Sequence, residues 1–440
     1  MKKLLLGYTF FIITTHFSFG QSTNFQAFSL KDAIQYALTN HPQIANIKID
    51  QEILKAKMGA AKASNLPQIN GGAEMAFHPS LQRVFFQPNL FLPNNTDNNV
   101  NVGSLQTPYG GFLQVNASQL LFNGTYLIGT KATELYTELN SKAQQQTEAE
   151  ITLNVSKAYY TVLMNQERLG LIAANIQRLT EALKDTEAAF QNGIAEKLDV
   201  DKITVLLNNA KIEREKFLQI NDLGVALLKF QLNAPQEQNI SLTGKLADFI
   251  ANISANQTAE NHNPISFEVL ALQKKMQEVE IKTLQAGYYP SAYLFGTLGA
   301  NTGTTTVGGV FNPTNWYNFS AVGLRLQVPI FDGLLKKHQI KEKKLQLQKL
   351  ANQEILLKNA TQLQQQQART SLKNAQLSLQ MHEQNIQLAT EILRVAKVKY
   401  KEGTNSNLDL LNAATALKEA EMNYQQAMYE CLLADLELKK

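Results

Sequence analysis

Two long stretches of the chain place apolar residues at alternating spacings of four and three. In the first, from residue 151 to 190, ten of twelve such positions are apolar. The second begins 210 residues later, runs from 361 to 400 in the same phase, and has nine apolar positions. A period of 3.5 residues is typical of a coiled-coil seam rather than of an ordinary globular helix. The pattern predicts two long helices that each pack along a partner helix.

The positions of the prolines set the limits of these helices. There is no proline from residue 109 to 234 and none from 330 to 440, and proline inside a helix breaks it. Shorter apolar stripes at 196–230 and 407–438 predict returning helices, with turns at Gly193 and Gly403. A first helix from Gly124 to Phe190 would be roughly 100 Å long at 1.5 Å per residue.

Short segments with strict alternation of apolar and polar residues predict strands. The clearest places Leu113, Val115 and Ala117 on one face and polar residues between them. A length of about ten residues suits a tilted strand that spans a membrane, although a pair of amphipathic hairpins on a soluble sheet is the alternative. The candidate strands are 70–77, 112–121, 291–300 and 320–328, joined within each pair by aromatic and Asn- and Gly-rich loops at about 78–110 and 301–318.

Four strands cannot close a barrel, and an open strand edge in lipid is very costly. If these hairpins enter a bilayer, the chain must therefore form oligomers. Two copies would supply eight strands, whose interior is filled by side chains, and three copies would supply twelve and leave more room for a lumen.

The two halves of the chain follow one plan, which indicates a tandem duplication. Leu121-Phe122-Asn123-Gly124 matches Ile330-Phe331-Asp332-Gly333, and the turn Phe190-Gln191-Asn192-Gly193 matches Tyr400-Lys401-Glu402-Gly403. The predicted organisation is a signal peptide at 1–20, a first repeat at 21–255 with its hairpin at about 70–121, and a second repeat at 256–440 with its hairpin at about 291–329.

The first twenty residues have the features of a secretory signal peptide. Lys2 and Lys3 precede a short apolar run, and small residues at Ser18 and Gly20 offer a cleavage site. An uncleaved anchor helix is the alternative, but the polar residues 14–16 leave a short apolar run for a membrane span. The chain is therefore expected to leave the cytoplasm.

Composition excludes several classes of function. The net charge is +4, which is too small for a nucleic-acid-binding surface. The single cysteine, Cys431, rules out an internal disulfide and a cysteine-based zinc site. No two of the six histidines stand at a spacing of three or four residues. We therefore predict no metal site, no cofactor and no catalytic residues, and the chain is not expected to be an enzyme.

Several short motifs, in order, resemble those of the TolC family of outer-membrane efflux proteins along almost the whole mature chain. They are Ser29-Leu30-Lys31-Asp32-Ala33, His41-Pro42, Leu66-Pro67, Leu121-Phe122-Asn123-Gly124, Asn192-Gly193-Ile194, Pro329-Ile330-Phe331-Asp332-Gly333 and Glu402-Gly403-Thr404. Each motif is short, and their order, their duplication and the helix lengths carry the resemblance together.

The resemblance implies an α+β membrane protein of the cell outer membrane that extends into the periplasm. Long antiparallel coiled-coil helices would form a helical barrel, and four membrane strands per protomer would contribute to the twelve-stranded β-barrel of a homotrimer. Its partners would be a periplasmic adaptor protein, an inner-membrane transporter and outer-membrane lipid. The family acts as a passive export duct, so catalysis is again not expected.

The resemblance also implies two sites. The glycine turns resemble adaptor-docking tips, which assigns adaptor binding to Gly193, Ile194, Gly403 and Thr404. The gate at the periplasmic entrance would involve Asp409, Asn412, Tyr400 and Asp199. Relatives with a double acidic ring carry a second acid where this chain has Asn412, and some relatives carry a basic gate residue where it has Asn405.

Two alternatives remain open at this stage. Asp409 stands three residues after Ser406 in a pattern that also resembles a helix-capping box, so capping competes with a role in the gate. For the whole chain, the competing interpretation is a structural coiled-coil protein of the cell envelope without a conducting lumen. The exported substrate is not indicated by the sequence.

Overall fold

The computed structural model describes residues 26–86, 101–255, 264–404 and 406–439. The expected signal peptide at 1–20 and the residue Asn405 lie outside these ranges. The described residues belong to two compact units. One unit comprises described residues up to 42, within 148–260 and from 365 onward, and the other comprises those within 43–147 and 261–364. Each unit therefore draws on both halves of the chain.

The helices are α1 Leu30–Asn40, α2 Pro42–Ala63, α3 Gly124–Gln191, α4 Lys197–Leu232, α5 Leu246–Ala255, α6 Ile265–Ala286, α7 Val307–Val310, α8 Leu335–Lys401 and α9 Asn407–Leu438. The strands are β1 Gln26–Phe28, β2 Gln68–Phe77, β3 Val84–Phe86, β4 Asn101–Gly103, β5 Tyr109–Asn123, β6 Ile240–Leu242, β7 Ser291–Thr304 and β8 Trp316–Gln327. Within the described residues, no helix combines the length and apolar character needed to cross a membrane.

The two long helices agree closely with the sequence pattern. Helix α3 begins at Gly124 as predicted and ends one residue after Phe190. In each predicted stripe, eleven of the twelve side chains are buried or half-buried, and the exceptions are Phe190 and Gln365. The coiled-coil prediction is therefore confirmed at the level of individual positions.

In the first unit, each long helix packs against its returning helix through the predicted seams. Helix α3 meets α4 around Leu179, Ile203 and Leu207. Helix α8 meets α9 through a cluster rich in small side chains, composed of Ala389, Leu393, Ala396, Ala413, Leu417 and Ala420. Leu411 of α9 joins the α3–α4 cluster, so α9 contacts the helices of the first half as well as α8.

Charged side chains reinforce the contacts of α9 with the first-half helices. The Arg178 guanidinium donates to both carboxylate oxygens of Glu421 at 3.3 and 3.0 Å. Lys418 donates to Glu213 of α4 at 2.5 Å, and Lys157 of α3 donates to Glu437. A two-point Arg–carboxylate contact fixes orientation as well as distance. These pairs hold α9 in one register against α3 and α4.

A buried tyrosine connects α3 to the short parallel sheet formed by β1 and β6. The fully buried Tyr159 hydroxyl lies 2.6 Å from the carbonyl oxygen of Thr243 and 3.0 Å from that of Phe28. Burial raises the pKa of Tyr159. Burial is also the main reason why the pKa of Tyr160 rises to about 12, and the nearby Asp435 adds to it. Both side chains therefore stay neutral hydroxyls at physiological pH.

In the second unit, the two predicted hairpins join into one antiparallel sheet with the order β2-β5-β7-β8. Strand β7 continues to Thr304 and β8 begins at Trp316, so the predicted loop at 301–318 was too long. Residues 301–304 belong to β7 because all four pair with β5, and the first two, up to Thr302, also pair with β8. Two short strands of the predicted loop at 78–110, β3 and β4, also pair with each other in antiparallel fashion.

The register of the sheet separates apolar from polar side chains. Val115 pairs with Leu298, and Leu294 pairs with Leu324, so the apolar positions of different strands share one face. On the opposite face, Thr297 donates to the Asn116 side chain at 2.8 Å. The apolar face includes Ile69, Ala73, Met75, Leu113, Val115, Ala117, Leu294, Leu298, Ala300, Val322, Leu324 and Leu326, with Gln119, Asn318 and Ser320 as polar exceptions. The polar face includes Gln68, Asn70, Glu74, Gln114, Asn116, Ser118, Thr297, Asn301 and Arg325, together with the aromatic residues Phe112, Phe295 and Phe319.

Two glycines of β7 give a test of this register. A Cβ atom on Gly299 would lie 2.6 Å from the Leu113 carbonyl oxygen and 2.6 Å from the Phe319 ring, whereas one on Gly296 meets no atom closer than 3.9 Å. We expect Gly299→Ala to destabilise the assembled protein by about 1–3 kcal/mol, as overpacking typically does. Gly296→Ala is the matched control, and thermal unfolding measures both. Equal melting temperatures of the two variants would contradict the close approach of β5 to β7 at Gly299.

Candidate functional site

The turns between the long and the returning helices have the same backbone geometry in both halves. Gly193 and Gly403 both have φ of +73°. In each turn the glycine N–H donates to the carbonyl three residues back, at 3.0 and 3.1 Å, and the next N–H donates to the carbonyl five residues back, at 2.8 and 2.9 Å. This is the hydrogen-bond pattern of a Schellman motif, which satisfies carbonyl groups at the end of a helix.

The positive backbone φ, rather than a lack of room for a side chain, explains why both turns contain a glycine. No atom lies within 4 Å of a Cβ built on Gly193 or Gly403, but an L-residue pays a steric cost at positive φ. Of the other two predicted docking residues, Ile194 is 81% exposed. Thr404 is also exposed, but its hydroxyl donates to the Lys399 carbonyl at 3.1 Å. The first tip thus exposes the apolar side chain of Ile194. The second tip exposes Thr404, whose hydroxyl is already hydrogen-bonded within the turn.

Asp409 lies in the first turn of α9 and takes part in the helix cap. The Asp409 N–H donates to the Ser406 hydroxyl oxygen at 3.2 Å, and that hydroxyl donates to Asp409 Oδ2 at 2.7 Å. The capping prediction is therefore confirmed. Asp409 and Asn412 are both exposed, and Tyr400 is half-buried, so the cap leaves the carboxylate open to solvent.

The acid at the matching position of the first half has a different partner. The Asp199 carboxylate lies 3.7 Å from the Lys202 ammonium group, and the residue that caps α4, Glu196, makes no side-chain cap bond. Ile203 lies one turn after Asp199 in α4, and Leu411 lies two residues after Asp409 in α9. Ile203 and Leu411 belong to the same apolar cluster. The fold therefore brings the first turns of α4 and α9 to the same region of this unit.

The Phe-Asn/Asp-Gly motif has a structural role that its recurrence alone did not indicate. In the first half, Asn123 Oδ1 accepts from the Tyr126 N–H at 3.0 Å and caps α3. In the second half, Asp332 accepts from the backbone and side chain of Lys336 at 3.3 and 3.0 Å. The hydrogen bond from the Lys336 side chain is the main reason why the pKa of Asp332 lies below its ordinary value.

Sequence reasoning also missed the polar contacts of α9, including the pairs with Arg178 and Glu213. These residues lie off the apolar stripe, as charged residues of a coiled coil commonly do. Their pairing depends on the register between helices that are more than 200 residues apart in the chain, and no local signal reports that register. They are contacts of the helical unit and not part of the predicted docking or gate residues.

The model of one protein family, described as outer membrane efflux protein, matches residues 33–219 and 257–440. The chain belongs to the outer membrane efflux protein family. Members of this family are outer-membrane proteins that extend into the periplasm, and the relatives identified are channel proteins rather than enzymes. The long helices and the four strands per chain that the sequence predicts are confirmed by the structure itself.

Individual relatives agree with this assignment. The outer membrane protein TolC of Salmonella enteritidis is 22% identical over 433 residues, covering 96% of this chain and 83% of TolC. The alkaline protease secretion protein AprF of Pseudomonas aeruginosa is 21% identical over 438 residues, covering 93% of this chain and 83% of AprF. The crystal structure of the outer membrane protein VceC from Vibrio cholerae superposes with a TM-score of 0.69 at 16% identity, covering 93% of this chain and 94% of VceC.

Proposed function

We propose that this chain forms the outer-membrane duct of a tripartite efflux or secretion system and passively conducts cargo from the periplasm to the exterior. The family match over most of the chain is the observation that carries this proposal. An inner-membrane transporter would supply the energy, and a periplasmic adaptor would connect it to the duct. The sheet with one apolar and one polar face is suited to a wall between lipid and a wet lumen.

The proposed assembly is a homotrimer. In the described sheet, β2 and β8 are edge strands, and unpaired backbone groups are not tolerated in the hydrocarbon region of a bilayer. Pairing β8 of one protomer with β2 of the next would remove every edge after three copies. Twelve strands would leave a lumen, whereas eight would fill it with side chains.

The proposed adaptor-docking surface is formed by the two tip turns. Gly193 and Ile194 form the first tip, and Gly403 and Thr404 form the second. Identical backbone geometry at both tips would let one adaptor use the same contact twice in each protomer, and the exposure of Ile194 offers an apolar anchor. The proposed gate is formed by Asp409 with Asp199, Asn412 and Tyr400, which lie three to nine residues along the chain from these glycines.

The tip proposal is tested by two substitutions at one glycine. Gly403→Val forces a β-branched residue into positive φ and should cost roughly 1–2 kcal/mol at the turn, whereas Gly403→Asn keeps a residue that adopts this conformation readily. We expect the valine variant to lose most export and the asparagine variant to retain it. The measurements are cargo export in cells that contain the cognate adaptor and pump, and adaptor cross-linking yield. Trimer amount in the outer membrane is the control.

The outcome separates docking from folding. If Gly403→Val lowers export and cross-linking while the trimer amount is unchanged, the tip acts in docking. If the trimer itself disappears, Gly403 serves folding and the docking assignment is wrong.

A further inference from the structure

The first turns of α8 carry the densest positive charge of the described chain. Residues 336–349 contain six lysines and one glutamate, although the whole chain has a net charge of only +4. This stretch begins nine residues after β8 ends at Gln327. The positive charge is therefore concentrated where the chain leaves the membrane sheet and enters the helical part of the same unit.

The lysines divide into two groups by their partners. Lys336 pairs with Asp332 at 3.0 Å, and Lys343 pairs with Glu280 of α6 at 2.6 Å. Lys349, further along the helix, is exposed and in no ion pair within the described ranges, and so are Lys337, Lys341 and Lys344. Their spacing of four and three residues places these three ammonium groups on one face of the helix. The paired lysines are thus neutralised by carboxylates of the same chain. The charges of the unpaired lysine face remain available to an external anion.

An exposed apolar segment stands directly before this lysine face. Ile330 is 95% exposed, Phe331 79%, Leu335 58% and Leu334 47%. Large apolar side chains followed by lysines on one face are the pattern by which segments lie at a membrane interface, with the apolar groups in the acyl region and the ammonium groups among the headgroups. The two features adjoin in sequence and lie in the same unit of the structure.

The first half of the chain shows that the shared architecture does not require this charge. The matching motif at Phe122-Asn123-Gly124 leads into α3 in the same way, yet residues 124–137 contain one lysine where residues 335–348 contain five. A role in folding common to both halves would have placed lysines in both. The charge is therefore a property of the second half alone.

We propose that Lys337, Lys341 and Lys344, together with the apolar segment 330–335, bind the phosphate headgroups of anionic phospholipids in the periplasmic leaflet of the outer membrane. Each headgroup phosphate would accept from the ammonium groups, and the apolar side chains would enter the acyl region. A lysine close to an anionic membrane surface contributes attraction that fades within a Debye length. The inference rests on the outer-membrane location of the chain and not on its export role.

The test uses the full-length protein purified in detergent and native mass spectrometry with added lipid. The variant K337Q/K341Q/K344Q removes the face, and glutamine preserves helix propensity. The control K358Q/K373Q/K397Q removes three exposed lysines further along the same helix. We expect the unaltered protein to retain phosphatidylglycerol in preference to phosphatidylcholine. The first variant should lose this preference by at least roughly tenfold, since each lysine contributes about fivefold near a membrane, and the control should keep it.

Other outcomes contradict the proposal. An unchanged lipid preference in the first variant would place the lipid contacts elsewhere. Loss of the oligomer in that variant alone would show that the lysine face is an interface between copies of the chain. Displacement of phosphatidylglycerol by low-millimolar inorganic phosphate at constant ionic strength would show a site for free phosphate rather than a membrane contact. A channel that conducts normally but has no lipid preference would refute this inference and leave the proposed function intact.

Discussion

Replacing Leu324 with arginine is expected to prevent stable assembly in the membrane. Leu324 is 74% exposed in the single chain and lies three residues before the end of β8, on the apolar face. An arginine that faces lipid costs about 2–4 kcal/mol at the bilayer midplane of a β-barrel and less toward the interfaces, and a trimer would carry three of them. We expect the heat-modifiable oligomer to be largely lost from the outer-membrane fraction on detergent gels.

Ala321 supplies the matched control for this experiment. It is also exposed and lies three residues away in the same strand, but it pairs with Thr297 on the polar face. The same face holds Arg325, whose guanidinium lies 5.1 Å from the centre of the Phe295 ring. Ala321→Arg should therefore leave the oligomer largely intact. If both variants assemble equally well, or fail equally, the assignment of the two faces to lipid and lumen is wrong.

Replacing Asp409 with asparagine is expected to change ion selectivity without changing the fold. Three carboxylates around a narrow entrance would focus a negative potential and favour cations. The cap should survive, because the Ser406 hydroxyl oxygen accepts from the backbone N–H of residue 409. We expect the cation-to-anion permeability ratio to fall by about fivefold at low salt. This change corresponds to an interaction of about 1 kcal/mol between a carboxylate and a passing ion a few ångströms away in water. Reversal potentials across a salt gradient measure this ratio.

Asp199→Asn is the internal comparison for this prediction. The Asp199 carboxylate already has a lysine 3.7 Å away, so its removal should change selectivity less. The difference between the two variants should shrink at 1 M salt, where the Debye length is about 3 Å. If Asp409→Asn matches the unaltered channel at every salt concentration, Asp409 is a capping residue and does not act in the gate.

The helical part of the fold was predictable because its signal is local and repeated. Nearly all positions of the four-three spacing are buried or half-buried in α3 and α8, although α3 also buries residues outside that spacing, such as Tyr159, Leu163 and Met164. The faces of β5 and β8 followed from simple alternation. The long-range parts were not predictable in the same way. The pairing of β5 with β7 requires a register between residues about 180 apart, and the irregularity between Leu120 and Phe122 shifts that register by one residue.

The candidate sites show the same division between local and long-range information. The glycine turns and the Ser406–Asp409 cap follow from short motifs, and the structure confirms their local geometry. The different partners of Asp199 and Asp409 were not foreseen, because the two halves differ in the residues around each acid. Whether these residues dock an adaptor or gate an entrance depends on neighbouring chains and stays a prediction.

Single-channel recording in a planar bilayer tests the central claim most directly. The purified full-length protein is added to one side of a membrane that contains outer-membrane phospholipid, and Leu324→Arg protein prepared in the same way serves as the control for insertion. A passive duct predicts discrete, long-lived conductance steps of uniform size from the unaltered protein and none from the control. A folded oligomer that inserts into the bilayer and yet gives no conductance would contradict the duct and favour a structural coiled-coil protein without a lumen.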